Sequence, residues 1–190
     1  NTDSTDYLSL AYTQALNVKS TQQINQFAVA VDAATRALIT DQHLEVFDYV
    51  IDIPEDLNPE HCEWKLANEW QVFWLTPFKE TIKLESDLLF TQSIDHWWTS
   101  LRVRDVCLSS GCRDYTQQIS DVRKYRTLFD VNDLPDVYNG LMYFRYSKTA
   151  FDFFMTARQI WENWITVRDA VLTGCDEREP STDVLYALTA

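Results

Sequence analysis

A chain of 190 residues that is 46% apolar and 24% charged has enough material for one full hydrophobic core, and its seven Trp, nine Tyr and ten Phe exclude a disordered or low-complexity protein. Its three glycines, Gly111, Gly140 and Gly174, leave no glycine-rich phosphate cradle, which excludes P-loop NTPases and dinucleotide-binding fingerprints. No apolar run reaches the roughly 20 residues of a membrane span, and a net charge of -13 argues against indiscriminate adhesion to nucleic acid or anionic membrane.

Asp6 reads as the N-cap of a helix over residues 7–20, with Leu8, Ala11, Tyr12, Ala15 and Leu16 at helical spacing. Residues 27–32 (FAVAVD) predict a short buried strand ending in an acid, and residues 46–54 a second strand stopped by Pro54. A dense apolar pattern over 61–75 predicts a helix closed by Pro77. Residues 81–90 (TIKLESDLLF) predict a strand, and Ser93 is a candidate N-cap for the helix that follows. Residues 104–108 predict a strand turning at 109–111, whereas 114–126 show only weak helical character. Asn139-Gly140 introduces the strand LMYFRY, and Ser147 caps the longest helix, over 148–172, ended by Gly174. A last helix begins at Ser181 or Thr182 with Asp183 in its first turn. Alternating helix and strand without repeats or linker predict a single α/β domain.

Strand alternation puts Lys83, Glu85 and Asp87 in file on one face. A sheet covered on both faces reads as continuous apolar runs, so three ionisable groups in file open onto a crevice at the strand's carboxyl end. Carboxylates at i and i+2 offer hard oxygens to one Mg²⁺ or Mn²⁺, which stabilises the negative charge of a departing diphosphate. Glu177 and Glu179 share that spacing, so the weight rests on the strand context; the structural alternative is an exposed edge strand with Lys83 paired to Glu85.

These residues resemble a known family. KLESDLLF resembles the acid-x-acid strand of glycosyltransferases with the A-type fold (GT-A), and DVYNGLMYFRYSKTAFDFF resembles their later Asn-x-Gly, strand, Ser-capped helix segment. EPSTDVLYAL is similar to the acidic helix start of the retaining, glycogenin-like branch, and the overall flavour is that of small bacteriophage glycosyltransferases. The resemblance implies one GT-A-like domain over 1–190, a mostly parallel sheet with helices on both faces, lacking its first strand and C-terminal extension.

It further implies that Glu85 and Asp87 hold Mn²⁺ or Mg²⁺ on a nucleotide-diphosphate sugar of the UDP-sugar type, with Lys83 at a phosphate. Asn139 and Gly140 lie beside donor or acceptor sugar, Asn139 and Asp183 at the reacting centre, and Asn1, Thr2 and Asp3, either the remnant of the first strand or the loop after it, at the donor. Three departures stand out: Glu85 replaces the usual Asp, the family's first strand is expected to end about where Asn1 begins, and no His follows His96.

The charge is uneven, with sixteen acids and five bases in residues 1–95 but thirteen and eleven in 96–190. The locally basic window 102–126 reads either as solvated surface or, given the phage flavour, as the phosphate contact for a modified DNA base as acceptor. The alternative function is a non-catalytic nucleotide-sugar-binding or interaction module of the same fold; a metal nuclease using Glu63-Trp64-Lys65 is a third reading. Four cysteines without a CxxC, and no signal or lipidation motif, give the expectation of a reducing, cytoplasmic compartment and no membrane partner.

Overall fold

The computed structural model describes residues 5–54, 68–113, 116–117 and 126–190. Asn1, Thr2 and Asp3, the 61–67 part of the predicted helix with Glu63-Trp64-Lys65, and most of 114–126 lie outside them.

Helix α1 (Tyr7–Thr21) starts where expected, with the Asp6 carboxylate accepting the Ser9 N–H at 3.2 Å. Leu8, Ala11, Ala15 and Val18 recur every three or four residues on its buried face, and Gln14 is buried among them. Strands β1 (Ala28–Val31) and β2 (Tyr49–Asp52) form a parallel pair, Ala28 opposite Tyr49 through Val31 opposite Asp52. The crossover between them carries two single-turn helices, α2 (Ala33–Arg36), capped by Asp32, and α3 (Asp41–Leu44), capped by Thr40. Asp48 fixes the junction by accepting the Phe27 N–H at 2.7 Å while pairing with Lys19 at 2.6 Å. Leu8, Ala11, Ala15 and Phe47 form a small apolar cluster there.

A 3-10 turn (Glu69–Gln71) leads into α4 (Val72–Leu75). Strands β3 (Glu80–Leu84), β4 (Val106–Ser110) and β5 (Val137–Arg145) then make an antiparallel sheet of order β3-β5-β4. Helix α5 (Trp97–Leu101) joins β3 to β4, and α6 (Arg126–Val131) precedes β5. Helices α7 (Lys148–Glu162), α8 (Trp164–Val171) and α9 (Thr182–Thr189) follow. The larger core lies between this sheet and α7 and α9, around Met142, Phe144, Phe154, Leu185 and Tyr186.

The mixed α/β reading holds, and among the described residues no helix is long and apolar enough to cross a membrane. The mostly parallel sheet is corrected: the described strands form one parallel pair and one antiparallel three-stranded sheet. Further elements differ from expectation: Ser109 and Ser110 of the predicted turn belong to β4, paired with Tyr138 and Val137, and of the helix expected over 61–75 the described residues keep only α4, after the 3-10 turn. Strand β3 ends at Leu84: the Glu85 N–H still bonds the Gly140 carbonyl opposite it at 3.0 Å, but residues 86–87 turn, with the Leu88 N–H donating back to the Glu85 carbonyl at 3.3 Å. Asn139 and Gly140 lie inside β5 instead of leading into it. Ser93 accepts the Asp95 N–H at 3.1 Å in a tight turn, and α5 begins only after His96. The long helix breaks at Asn163, which lets Trp164 enter the core with its Nε1 donating to the Glu177 carbonyl at 3.0 Å. Phe151 of α7 and Ile165 and Val171 of α8 are exposed.

Candidate functional site

The site grows from an irregularity in β5. Leu108 pairs with Met142 and the next residue, Ser109, pairs with Tyr138, so residues 139–141 bulge against a single step of β4. Such a bulge turns peptide groups out of the ladder and re-aims side chains. Here the Asn139 N–H leaves the sheet and donates to Asp183 Oδ1 at 2.8 Å, where Ser181 has capped α9 and set Asp183 in its first turn. The bulge also explains Gly140, because a Cβ there would collide with the ring of Tyr138.

Around Asn139 the ionisable groups interlock. Lys83 forms an ion pair with Glu69 and donates to the Asn139 carbonyl at 2.9 Å. Asn139 Nδ2 donates to Glu69 Oε2 at 2.6 Å, while its Oδ1 is buried and accepts no hydrogen bond among the described residues. Arg126 donates to the Val137 carbonyl and pairs with Asp136, both at 2.9 Å, and reaches Asp183 Oδ2 at 3.6 Å. The side chains of Lys83, Glu69, Arg126 and Asp183 are only 10–12% exposed. At that depth each charge needs its partner.

Glu85 lies next to this network, half-buried, with the Tyr138 hydroxyl 3.4 Å from Oε2. Burial raises its carboxyl above the ordinary carboxylate range; Lys83 pulls it back, and the carboxylates of Glu69, Asp87 and Asp183 push it further up. Its backbone is held from α1, where Gln14 Nε2 donates to the carbonyls of Glu85 at 2.5 Å and Leu88 at 2.9 Å. Asn17 continues the attachment by bonding both the N–H and the carbonyl of Phe90, and Gln22 accepts the Ile94 N–H at 2.7 Å.

The network opens onto a cavity of about 1530 Å³ that reaches from β1 to α9. Lys83, Glu85, Asp87, Asn139 and Asp183, chosen from sequence, all line it; Gly140 sits beside it on the bulge, and Asn1, Thr2 and Asp3 fall outside the described residues. The stated reason for grouping Lys83, Glu85 and Asp87 changes, since Asp87 stands exposed on the turn after β3 and not on the strand. As metal ligands Glu85 and Asp87 form a pair: among the described residues no three His, Cys, Asp or Glu side chains are grouped to hold an ion. Two carboxylates suit a hard cation whose remaining positions are filled by waters and phosphate oxygens.

Glu69, Arg126 and Tyr138 were not foreseen. Glu69 carried a signal, as the single acid of the apolar run NEWQVFWL. Arg126 was counted in the basic window, yet it points inward; Arg102 of that window is likewise engaged, bidentate on Glu80. Arg104 and Arg113 remain exposed. Cys107 and Cys112 are free thiols that burial pushes above their ordinary range, which makes them poor nucleophiles. No protein-family model matches this sequence, and no curated protein matches it.

Proposed function

We propose that the chain binds a nucleotide-diphosphate sugar with Mn²⁺ or Mg²⁺ and transfers the sugar to an acceptor. One observation carries the reading: three segments singled out for their resemblance to GT-A glycosyltransferases, more than 40 residues apart, converge at one wall of one cavity. Asn139 N–H bonds Asp183, Lys83 bonds the Asn139 carbonyl, and the Glu85 N–H bonds the Gly140 carbonyl. A polar cluster with a perturbed carboxyl at the wall of a large, mostly apolar cavity is where a small-molecule site is expected.

In this reading Glu85 and Asp87 hold the cation, which when bound neutralises charge on the departing diphosphate. The raised Glu85 carboxyl favours it, because a cation relieves the crowding by Glu69, Asp87 and Asp183. Lys83, Asn139 and Glu69 act as a fixed framework that positions Glu85, and Asp183 faces the donor. The GT-A architecture belongs to the same proposal: the parallel β1–β2 pair favours it and the antiparallel β3-β5-β4 sheet departs from its mostly parallel form. With a modified DNA base as acceptor, phosphate contacts fall to the exposed Arg104 and Arg113.

A second reading, a binding module without turnover, is favoured by Asp183 itself, whose two oxygens are already engaged by Asn139 and Arg126. Thermal unfolding with UDP and UDP-glucose, with and without Mn²⁺, tests both. A ligand at 100 times its Kd stabilises by about 2.7 kcal/mol, a shift of roughly 5–11 °C at this size. The expected result is a Mn²⁺-dependent shift that Asp87→Asn abolishes. A shift without UDP-glucose turnover selects the binding module, and no shift with either nucleotide overturns both.

A further inference from the structure

Three side chains of the buried network stand in an order that does more than neutralise charge. Lys83 on β3 and Asn139 on β5 belong to neighbouring strands, and the Glu69 carboxylate sits between them. Its Oε1 forms the ion pair with Lys83 Nζ, and its Oε2 accepts from Asn139 Nδ2 at 2.6 Å. Lys83 Nζ also donates to the main-chain carbonyl of Asn139 at 2.9 Å, so the amine already lies against the residue whose side chain carries the amide. An amine nucleophile and the amide nitrogen that would leave from its target therefore share one carboxylate. Such a carboxylate can take a proton from the first and give one to the second.

Two observations separate this arrangement from an ordinary buried ion pair. The first is the amide itself: a purely structural asparagine that is 2% exposed is expected to satisfy both of its ends, yet Asn139 Oδ1 accepts no hydrogen bond among the described residues. The side chain is held through Nδ2, the nitrogen that would leave, and its carbonyl can turn toward Nζ. The second is depth, for the side chains of Lys83 and Glu69 are 11% and 10% exposed. Water that would compete for the carbonyl is largely kept out, and the fold converts the meeting of amine and amide from a bimolecular encounter into an intramolecular one.

We propose that Lys83 and Asn139 join spontaneously in an intramolecular isopeptide bond, with Glu69 as the acid and base. A proton passes from Nζ to Glu69 Oε1, the neutral amine attacks Cγ, and the Cγ–Nδ2 bond breaks as the new Nζ–Cγ amide forms. Of the two protons that Nζ gives up, Glu69 passes one to Nδ2, which departs as ammonia, and keeps the other. The step needs no oxidant, reductant or co-reactant, and ammonia leaves through the cavity that all three residues line. The buried ion pair becomes a neutral acid beside a neutral amide, which removes two charges from a site where charge is costly. The product is a covalent rung between β3 and β5 beneath Glu85. The inference rests on these three side chains and is independent of donor binding.

Mass spectrometry of the whole chain, denatured after purification and again after prolonged incubation of the folded protein, tests it. The wild type should weigh less than its sequence requires by one ammonia. Trypsin should release residues 80–102, uncut at Lys83, joined through that lysine and Asn139 to residues 127–145. Lys83→Arg and Glu69→Gln should each keep the full mass and yield no joined peptide. A wild type of full mass after incubation, with residues 127–145 recovered only as a linear peptide, overturns the proposal. So does a loss of ammonia that persists in Lys83→Arg, because Asn139 can also lose ammonia by closing a succinimide on the Gly140 nitrogen, which joins no second peptide. A joined peptide that still forms in Glu69→Gln overturns the acid–base role of Glu69. The wild-type digest is decisive by itself, so a variant that fails to fold does not obscure the result. No nucleotide enters the measurement, and its outcome is read separately from that of the UDP experiment.

Discussion

Burial raises the Glu85 carboxyl, and the carboxylates of Glu69, Asp87 and Asp183 add to the effect against the opposing pull of Lys83. A carboxyl whose folded pKa lies above its unfolded value binds its proton more tightly in the native state. The native state is therefore penalised as pH rises above the ordinary value of 4.5, and the penalty is complete above the raised folded pKa. Glu85→Gln should raise the Tm of the ligand-free protein at pH 7, and the gain should shrink on acidification and vanish near pH 4. Unfolding scans across that range measure it; a gain that grows on acidification contradicts the assignment. The candidate residues were legible from their chemistry: an acid after a strand, an Asn-Gly pair and an acid in a helix's first turn each stand out locally. Their partners did not, because Glu69 meets Lys83 and Arg126 meets Asp183 only through tertiary folding across 14 and 57 positions of chain.

Helix starts were readable because caps are local: Asp6, Ser147 and Ser181 each accept an N–H three residues on. Ends that depend on distant partners were not. The alternation of KLESDLLF continues past Leu84, but the chain stops being a strand where the Leu88 N–H turns back to the Glu85 carbonyl and Gln14 of α1 captures the Glu85 and Leu88 carbonyls. Likewise nothing local stops a helix at Asn163, which contains neither glycine nor proline nearby; the break serves the burial of Trp164. Gln14→Ala should cost about 1–3 kcal/mol, since it leaves two carbonyls without that donor. It should also speed amide exchange over residues 85–90 while leaving β5 unchanged. Uniform acceleration across both segments would show that Gln14 supports the whole fold and not this loop.

At the scale of the molecule, two apolar clusters separated by a cavity predict unequal local stability. The β1–β2 unit, bordered by the smaller cluster and paired among the described residues along one edge of each strand, should exchange its amides through openings well below the global unfolding free energy, whereas Met142, Tyr143 and Phe144 of β5, at most 1% exposed, should report the global value. Native-state exchange at increasing denaturant measures the difference, and coincident isotherms for the two units refute it. The mixed α/β class was visible in the alternation of elements. The division into two sheets was not, because FAVAV and TIKL carry the apolar character of strands with neighbours on both edges, and sequence pattern does not say which neighbours are present.

The attachment of residues 85–94 to α1 has a consequence of its own. Gln14, Asn17 and Gln22 are neutral amides, and their bonds to the loop survive any change of pH or ionic strength the fold itself tolerates. Glu85 can therefore change its charge, and the loop can exchange one counter-charge for another, on a mounting of neutral amides. The charge at the site varies while its backbone stays in place, which is what a site needs if it is to accept and release a cation repeatedly without refolding around it.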